Sequence, residues 1–162
     1  MSEAAKTEWV DWLNTKVLQK AAVVDEAGNV LALHRSETYR GSRPGKWDLP
    51  GGVVGREDIE SSDAAKPHEA SIRREVAEET GLAVIAIAAT FVDSWTFERS
   101  PGTILGIAIG YKATVSGVKP LVRLSDEHVE YRWGAPAEIL ALEFGEDGGL
   151  HPSVIRALGY PS

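Results

Sequence analysis

Cysteine is absent from the 162-residue chain, which removes disulfides, thiolate zinc sites and cysteine nucleophiles together. Long apolar runs are missing too. The longest, residues 82–92, is about half of the roughly 20 residues a membrane helix needs. The first residues, MSEAAKTEWVDW, carry no apolar signal-peptide core. The expectation is a soluble, cytoplasmic protein with no membrane partner. Positive charge is in deficit, at a formal net −7. A chain without a basic face is poorly suited to gripping a nucleic acid polymer. Any phosphate-bearing ligand must be neutralised locally, by cations or a few arginines. What is present, 43% hydrophobic and 25% charged residues, is ordinary globular composition and argues against disorder. The length fits one domain, expected over 5–160.

Along the chain, Trp9, Trp12, Leu13 and Lys16 fall at helical spacing and suggest a short N-terminal helix or strand. Two apolar runs flank Glu26-Ala27-Gly28-Asn29, which predicts a hairpin over 17–36. Residues 39–46 read as a loop, and Trp47-Asp48-Leu49 runs as a strand end into Pro50-Gly51-Gly52. Residues 53–66 have no apolar period and read as a long loop. Pro67 suits a first helical turn and Gly81 the position past the last, with Ile72, Val76 and Thr80 forming one stripe. Strands are expected over 82–97, 103–115 and 129–133, with a turn at Ser116-Gly117 leading towards 118–124. Helices are expected over 135–142 and 152–158. Mixed strands with two or three helices suggest an α/β or α+β sandwich.

The chemistry concentrates in Arg74-Glu75-Val76-Ala77-Glu78-Glu79-Thr80-Gly81-Leu82. Glu75, Glu78 and Glu79 stand at i, i+3 and i+4, so a helix projects all three carboxylates from one side. They repel each other, and they lie near the helix C-terminus, where the macrodipole disfavours anions. A hard divalent cation resolves that repulsion, because magnesium prefers oxygen ligands and keeps waters that phosphates can replace. A solvated glutamate-rich face, partly offset by Arg73 and Arg74, explains the same run without any ligand. The upstream glycine pair adds context, since a backbone without Cβ can approach a metal or phosphate closely, although taken by itself Pro50-Gly51-Gly52 reads as an ordinary turn.

Leu49–Gly52 followed by Arg74–Leu82 resembles the Nudix box, G-x5-E-x7-R-E-U-x-E-E-x-G-U with U aliphatic. Every fixed position of the second half is met, at Arg74, Glu75, Val76, Glu78, Glu79, Gly81 and Leu82. The first half departs. Asp58 stands where the pattern has glutamate, and fifteen residues (59–73) replace the seven before the arginine. Asp58 or Glu57 could take the part of the family's first glutamate, and the extra residues, about 59–66, must bulge out as a loop.

The resemblance implies a mixed β-sheet sandwiched between helices and hydrolysis of a nucleoside diphosphate linked to another group, with water attacking phosphorus. It implies Mg²⁺, with Mn²⁺ as the alternative, on Glu75, Glu78, Glu79 and the backbone near Gly51, and Arg74 holding a neighbouring carboxylate. The general base in relatives lies in the box helix or on a downstream loop, which points here to Glu78 or Glu127; His128 reads as structural. Arg35 is the expected phosphate contact, Arg40, Arg43 and Lys46 being mostly solvated, and Trp95 and Phe97 are candidates to stack on a base. Nucleoside triphosphates or dinucleoside polyphosphates are favoured as substrates. ADP-ribose- or NADH-type diphosphates, or a silent nucleotide-binding domain, are the alternatives. Residues 92–100 match an NADH-cleaving marker only at Trp95, Phe97 and Ser100. Dimers are common among such proteins, so a homodimer is a further expectation. The P-loop-like Gly41–Trp47 run is one residue short, and isopentenyl diphosphate isomerases of this fold need a cysteine that this chain lacks.

Overall fold

The computed structural model describes residues 14–60, 66–99, 102–145 and 149–159. The expectation placed on Trp9, Trp12 and Leu13 lies outside them, as does Ser100. The elements in chain order are β1 (Thr15–Val24), β2 (Val30–Arg35), β3 (Trp47–Asp48), β4 (Gly51–Val53), α1 (Arg56–Glu60), α2 (Pro67–Thr80), β5 (Ala86–Arg99), β6 (Gly102–Thr114), β7 (His128–Gly134), α3 (Pro136–Leu140) and α4 (Leu150–Arg156).

The central strand β1 is apolar on both sides because both of its faces are covered. Ala21 and Val23 join Leu31, Leu33, Ile72, Val76 and Tyr111 in one core layer under α2. Their neighbours Ala22 and Val24 join Val30, Ala32, Ile139, Val154 and Ile155 in a second layer under α3 and α4. Side chains of period two divide one strand between two cores. The result is a mixed sheet of order β3-β2-β1-β6-β5, with β4 added to β1 and β7 to β2. Strands β1 and β6 run parallel, from Thr15↔Leu105 to Val24↔Thr114.

The predicted hairpin forms, with Gly28 at φ +84° in its turn and the Asp25 carboxylate accepting from the amides of Ala27 and Asn29. Strands β1 and β2 meet at Val24↔Val30 and then diverge, β1 pairing with β4 and β2 with β3 and β7. The wedge between them houses the site. Helix α2 spans the predicted residues and closes on Gly81 at φ +71°, a left-handed cap that suits glycine.

Two local expectations change. Residues 53–66 are not all loop, because Arg56–Glu60 form helix α1, pinned by the buried Asp58. Residues 82–85 precede β5 instead of opening it. Residues 118–124 form no strand and are tied down singly, Arg123 N–H to the Thr80 carbonyl and the Trp133 indole N–H to the Pro120 carbonyl.

Strand β5 carries a further device. Its pairing with β6 shifts register between Ala89 and Phe91, leaving Thr90 as an extra residue. Ile87 therefore packs on the α2 layer and Phe91 on the opposite one, although both are odd-numbered. A one-residue bulge moves every later side chain to the other face.

Candidate active site

The box glutamates occupy three different environments along α2. Glu79 is buried, 6% exposed, and accepts the Gly51 N–H at 2.9 Å. Burial pushes its carboxyl up to about 8, against the pull of nearby Lys20. Glu75 is half-buried and also raised, by burial first, with Arg74 opposing. Glu78 is exposed and paired to Arg74 Nη1 at 3.0 Å. A Cβ on Gly52 would lie 2.6 Å from Glu75 Oε1, so only glycine leaves that carboxylate its position. Gly51 is confined in the same way by the Gln19 backbone.

Arg74 organises the acidic groups. Its guanidinium meets Asp58 twice, at 3.0 and 3.1 Å, and reaches Glu75 Oε1 at 3.1 Å. Asp58 also accepts the Gly55 N–H at 2.8 Å. The Arg74 hydrogen bonds hold the Asp58 carboxyl below its usual range. Glu57 stands farther off, 3.6 Å from Arg74, and is exposed. Asp58 is thus the residue that ties the glycine turn to the helix, and the added residues follow it without breaking that tie.

Beside these carboxylates is a cationic nest of which the sequence reading named Arg35 and missed Lys20, Asp48 and His151. Asp48, 1% exposed, receives Lys20 Nζ at 2.8 Å, Arg35 Nη2 at 2.7 Å and Arg43 Nη2 at 3.5 Å, together with His151 Nε2. Burial alone would raise the Asp48 carboxyl. Lys20, His128 and His151 outweigh it and hold it well below the usual range. Three permanent cations thus converge on one carboxylate. Two of them are themselves buried, Lys20 at 3% and Arg35 at 8% exposure. Arg43, expected to be solvated, instead donates to the Phe144 carbonyl at 2.7 Å. The available signals were slight: a lysine beside the apolar run 21–24, and a lone aspartate between Trp47 and Leu49.

Both groups line one cavity of about 530 Å³, whose wall includes Lys20, Arg35 and Arg43 together with Gly51, Gly52, Glu75, Glu79 and Glu127. Arg35 lies under Tyr39, 4.5 Å from the ring centroid. Glu127 is positioned from the backbone, its carbonyl accepting the Ser36 N–H at 3.0 Å. Carboxylate oxygens of Glu79 and Glu127 and a ring nitrogen of His128 lie within 4.8 Å of one another. His128 is buried, with Nε2 4.0 Å from Asp48. Of the other expected residues, Glu78 is not in the cavity wall. Trp95 and Phe97 line two adjoining recesses, of about 280 and 570 Å³. The donor set is all oxygen on the glutamate side, and the glycine pair leaves room beside Glu75. These residues fit a hard divalent cation.

A family model described as the NUDIX domain matches residues 19–154. No curated protein matches this chain. Among solved structures, a MutT protein from Methanosarcina mazei Go1 is 29% identical, with 90% of this chain and 93% of that one covered, at a TM-score of 0.58. A C. elegans Ap4A hydrolase binary complex is 17% identical over 90% and 94%, at 0.54. The NUDIX domain of Shewanella oneidensis NrtR, complexed with ADP ribose, is 17% identical over 98% and 97%, at 0.59. The last two likenesses concern the fold alone.

Proposed function

The chain belongs to the Nudix hydrolase family, and on that premise we propose that it is a divalent-metal-dependent pyrophosphohydrolase acting on a nucleoside triphosphate or on the phosphate chain of a dinucleoside polyphosphate. The observation that carries this reading is one cavity whose wall brings the box glutamates Glu75 and Glu79 together with the buried cations Lys20 and Arg35. Buried charge without an opposite partner is costly. Asp48 fixes Lys20 and Arg35 at the cavity wall, so a phosphate placed there would meet two cations already held in position.

Glu75 and Glu79, with Glu78 beside them on the helix, would hold Mg²⁺ or Mn²⁺. The ion supplies charge neutralisation and a bound water of lowered pKa. The protein's own part is positioning, which dominates phosphoryl transfer. Arg74 fixes Glu75 and Glu78. Lys20 and Arg35 receive non-bridging phosphate oxygens, Arg35 with the planar fork that suits them. Glu127 faces the same cavity and takes the proton from the attacking water as its oxygen bonds to phosphorus and the bridging P–O bond breaks. Trp95 offers a ring face at the cavity's margin, and Phe97 lines the recess beside α1.

A silent nucleotide-binding domain is the weaker reading, because all three helix glutamates and the Arg74 clamp are intact. The test is release of phosphate, pyrophosphate or mononucleotide from nucleoside triphosphates, dinucleoside polyphosphates and ADP-ribose with Mg²⁺, comparing wild type with Glu79→Gln. The variant should lose at least about a hundredfold in kcat, the scale of a lost charge-stabilising group. Equal activity in the two proteins, or none in either, would discard the hydrolase assignment.

A further inference from the structure

Beside the cavity, the sheet face that carries Lys16, Leu18 and Lys20 continues across two more strands. Lys16 pairs with Gly106, Leu18 with Ala108 and Lys20 with Gly110. On the far side Gly106 pairs with Trp95, Ala108 with Asp93 and Gly110 with Phe91. Paired residues point to the same face. The middle column, Gly-Ala-Gly, therefore sinks into a trench about 10 Å wide between the outer strands, at roughly 4.8 Å per strand step. Trp95 leans across one end, where a Cβ on Gly106 would lie 2.5 Å from its indole, and Val154 of α4 closes the other over Gly110. The remaining opening is the recess of about 280 Å³ lined by Leu18, Asp93, Trp95, Ala108, Leu150 and Ser153. It meets the catalytic cavity at Leu18, one side chain along the strand face from Lys20.

Every other wall of this recess is apolar, aromatic or small, apart from the Ser153 hydroxyl, which donates to the Gly149 carbonyl. Asp93 is the exception. Its Oδ1 accepts only the adjacent Ser94 N–H at 2.8 Å, and no cation is paired with it among the described residues. The Thr90 bulge is what brings it here; regular alternation from Ile87 would have placed it on the α2 face.

We propose that Asp93 is a specificity-determining residue for a base stacked at Trp95, selecting a base edge with two adjacent N–H donors, as guanine presents at N1 and its 2-amino group. An ionised carboxylate offers acceptors only. It matches that pair. The adenine edge instead sets a ring acceptor against it. The proposal rests on the hydrolase reading for the phosphates but concerns the base alone.

The test compares GTP with ITP, which keeps N1–H and lacks the 2-amino group, in wild type, Asp93→Asn and Asp93→Ala. Binding of GMP and IMP is measured beside turnover by calorimetry. Wild type should favour GTP over ITP about tenfold in kcat/KM and GMP over IMP similarly in affinity, the loss in both variants falling mainly on KM. In the asparagine variant the ratio should approach one and ATP should gain, because an amide presents a donor beside an acceptor. Equal GMP and IMP affinities in wild type, or variants that weaken both alike, overturn the proposal. Failure of turnover on every triphosphate and dinucleoside polyphosphate, with GMP still bound tighter than IMP, overturns the hydrolase reading and supports Asp93.

Discussion

Asp48 shows how much one residue can carry without advertising itself. In sequence it is a single aspartate in a short strand; in the structure it is the common anion of Lys20, Arg35, Arg43 and His151. Removing it leaves buried cations facing each other, and losing one partner of a buried pair typically costs about 3–5 kcal/mol. Asp48→Asn should fall in that range by urea unfolding, and Lys20→Met should rescue part of it, because the double variant removes one stranded charge. Additive losses in that cycle would mean the two do not interact. Asp58 makes the complementary case in pH. Arg74 holds its carboxyl below the ordinary value, so near pH 3–4 the folded protein keeps a charge that the unfolded chain, titrating near 3.9, gives up. The stabilisation is present above that pH and fades as pH falls through the lower folded value. Asp58→Asn should lower Tm at pH 7 and flatten its decline below about pH 4; a parallel acid limb in both proteins would refute the linkage. Glu78 shares the helix of Glu75 and Glu79 but not the cavity wall. The meeting of Glu75, Glu79, Arg74 and Gly51 was readable because their spacing is a local helix and turn property. Lys20, Asp48 and His151 were not, since their meeting depends on which strands diverge. Asp93 was unreadable for a different reason, its face being decided three residues away.

At the scale of elements, α2 could be placed from its proline, its stripe and its terminal glycine, all signals within one segment. Helix α1 could not. Its five residues have no apolar period, and the helix exists because Asp58 must reach Arg74 and Gly55. Strand β5 was legible as a strand but not in its facing, because alternation assumes that no residue is skipped. The Thr90 bulge yields a sharp expectation. Deleting Thr90 removes the extra residue while Phe91, Asp93 and Trp95 keep their partners Gly110, Ala108 and Gly106. The GTP-to-ITP ratio should therefore survive the deletion, although it collapses in Asp93→Asn. A collapse in both would show that the bend of the bulge, and not the register it sets, aims the carboxylate. Mixed pairing has the same logic. Parallel contact between β1 and β6 requires a long crossover, and nothing in a single strand's pattern reveals which partner lies beside it.

Across the whole molecule, charge is the organising quantity. A net −7 opposes a polyphosphate at long range, and under the proposed function the local remedy would be divided between the buried cations on Asp48 and a divalent cation on the glutamates. No helix among the described residues is long and apolar enough to cross a membrane. Because Glu75 and Glu79 crowd one cavity wall and are costly to ionise there, the folded protein should bind divalent cation far better than the unfolded chain does. Such a ligand stabilises by RT ln(1 + [L]/Kd), about 2.7 kcal/mol at a hundredfold excess over Kd. In a domain of this size each kcal/mol moves Tm by about 2–4 °C. Saturating Mg²⁺ should therefore raise Tm by roughly 5–10 °C in a scan at pH 7.5, with EDTA reversing the gain and Na⁺ at equal ionic strength separating specific binding from screening. Glu75→Gln combined with Glu79→Gln should start from a higher metal-free Tm, since the repulsion is gone, and show no Mg²⁺ response. A double variant that still gained the full shift would place the ion elsewhere and remove the physical reason for crowding those carboxylates.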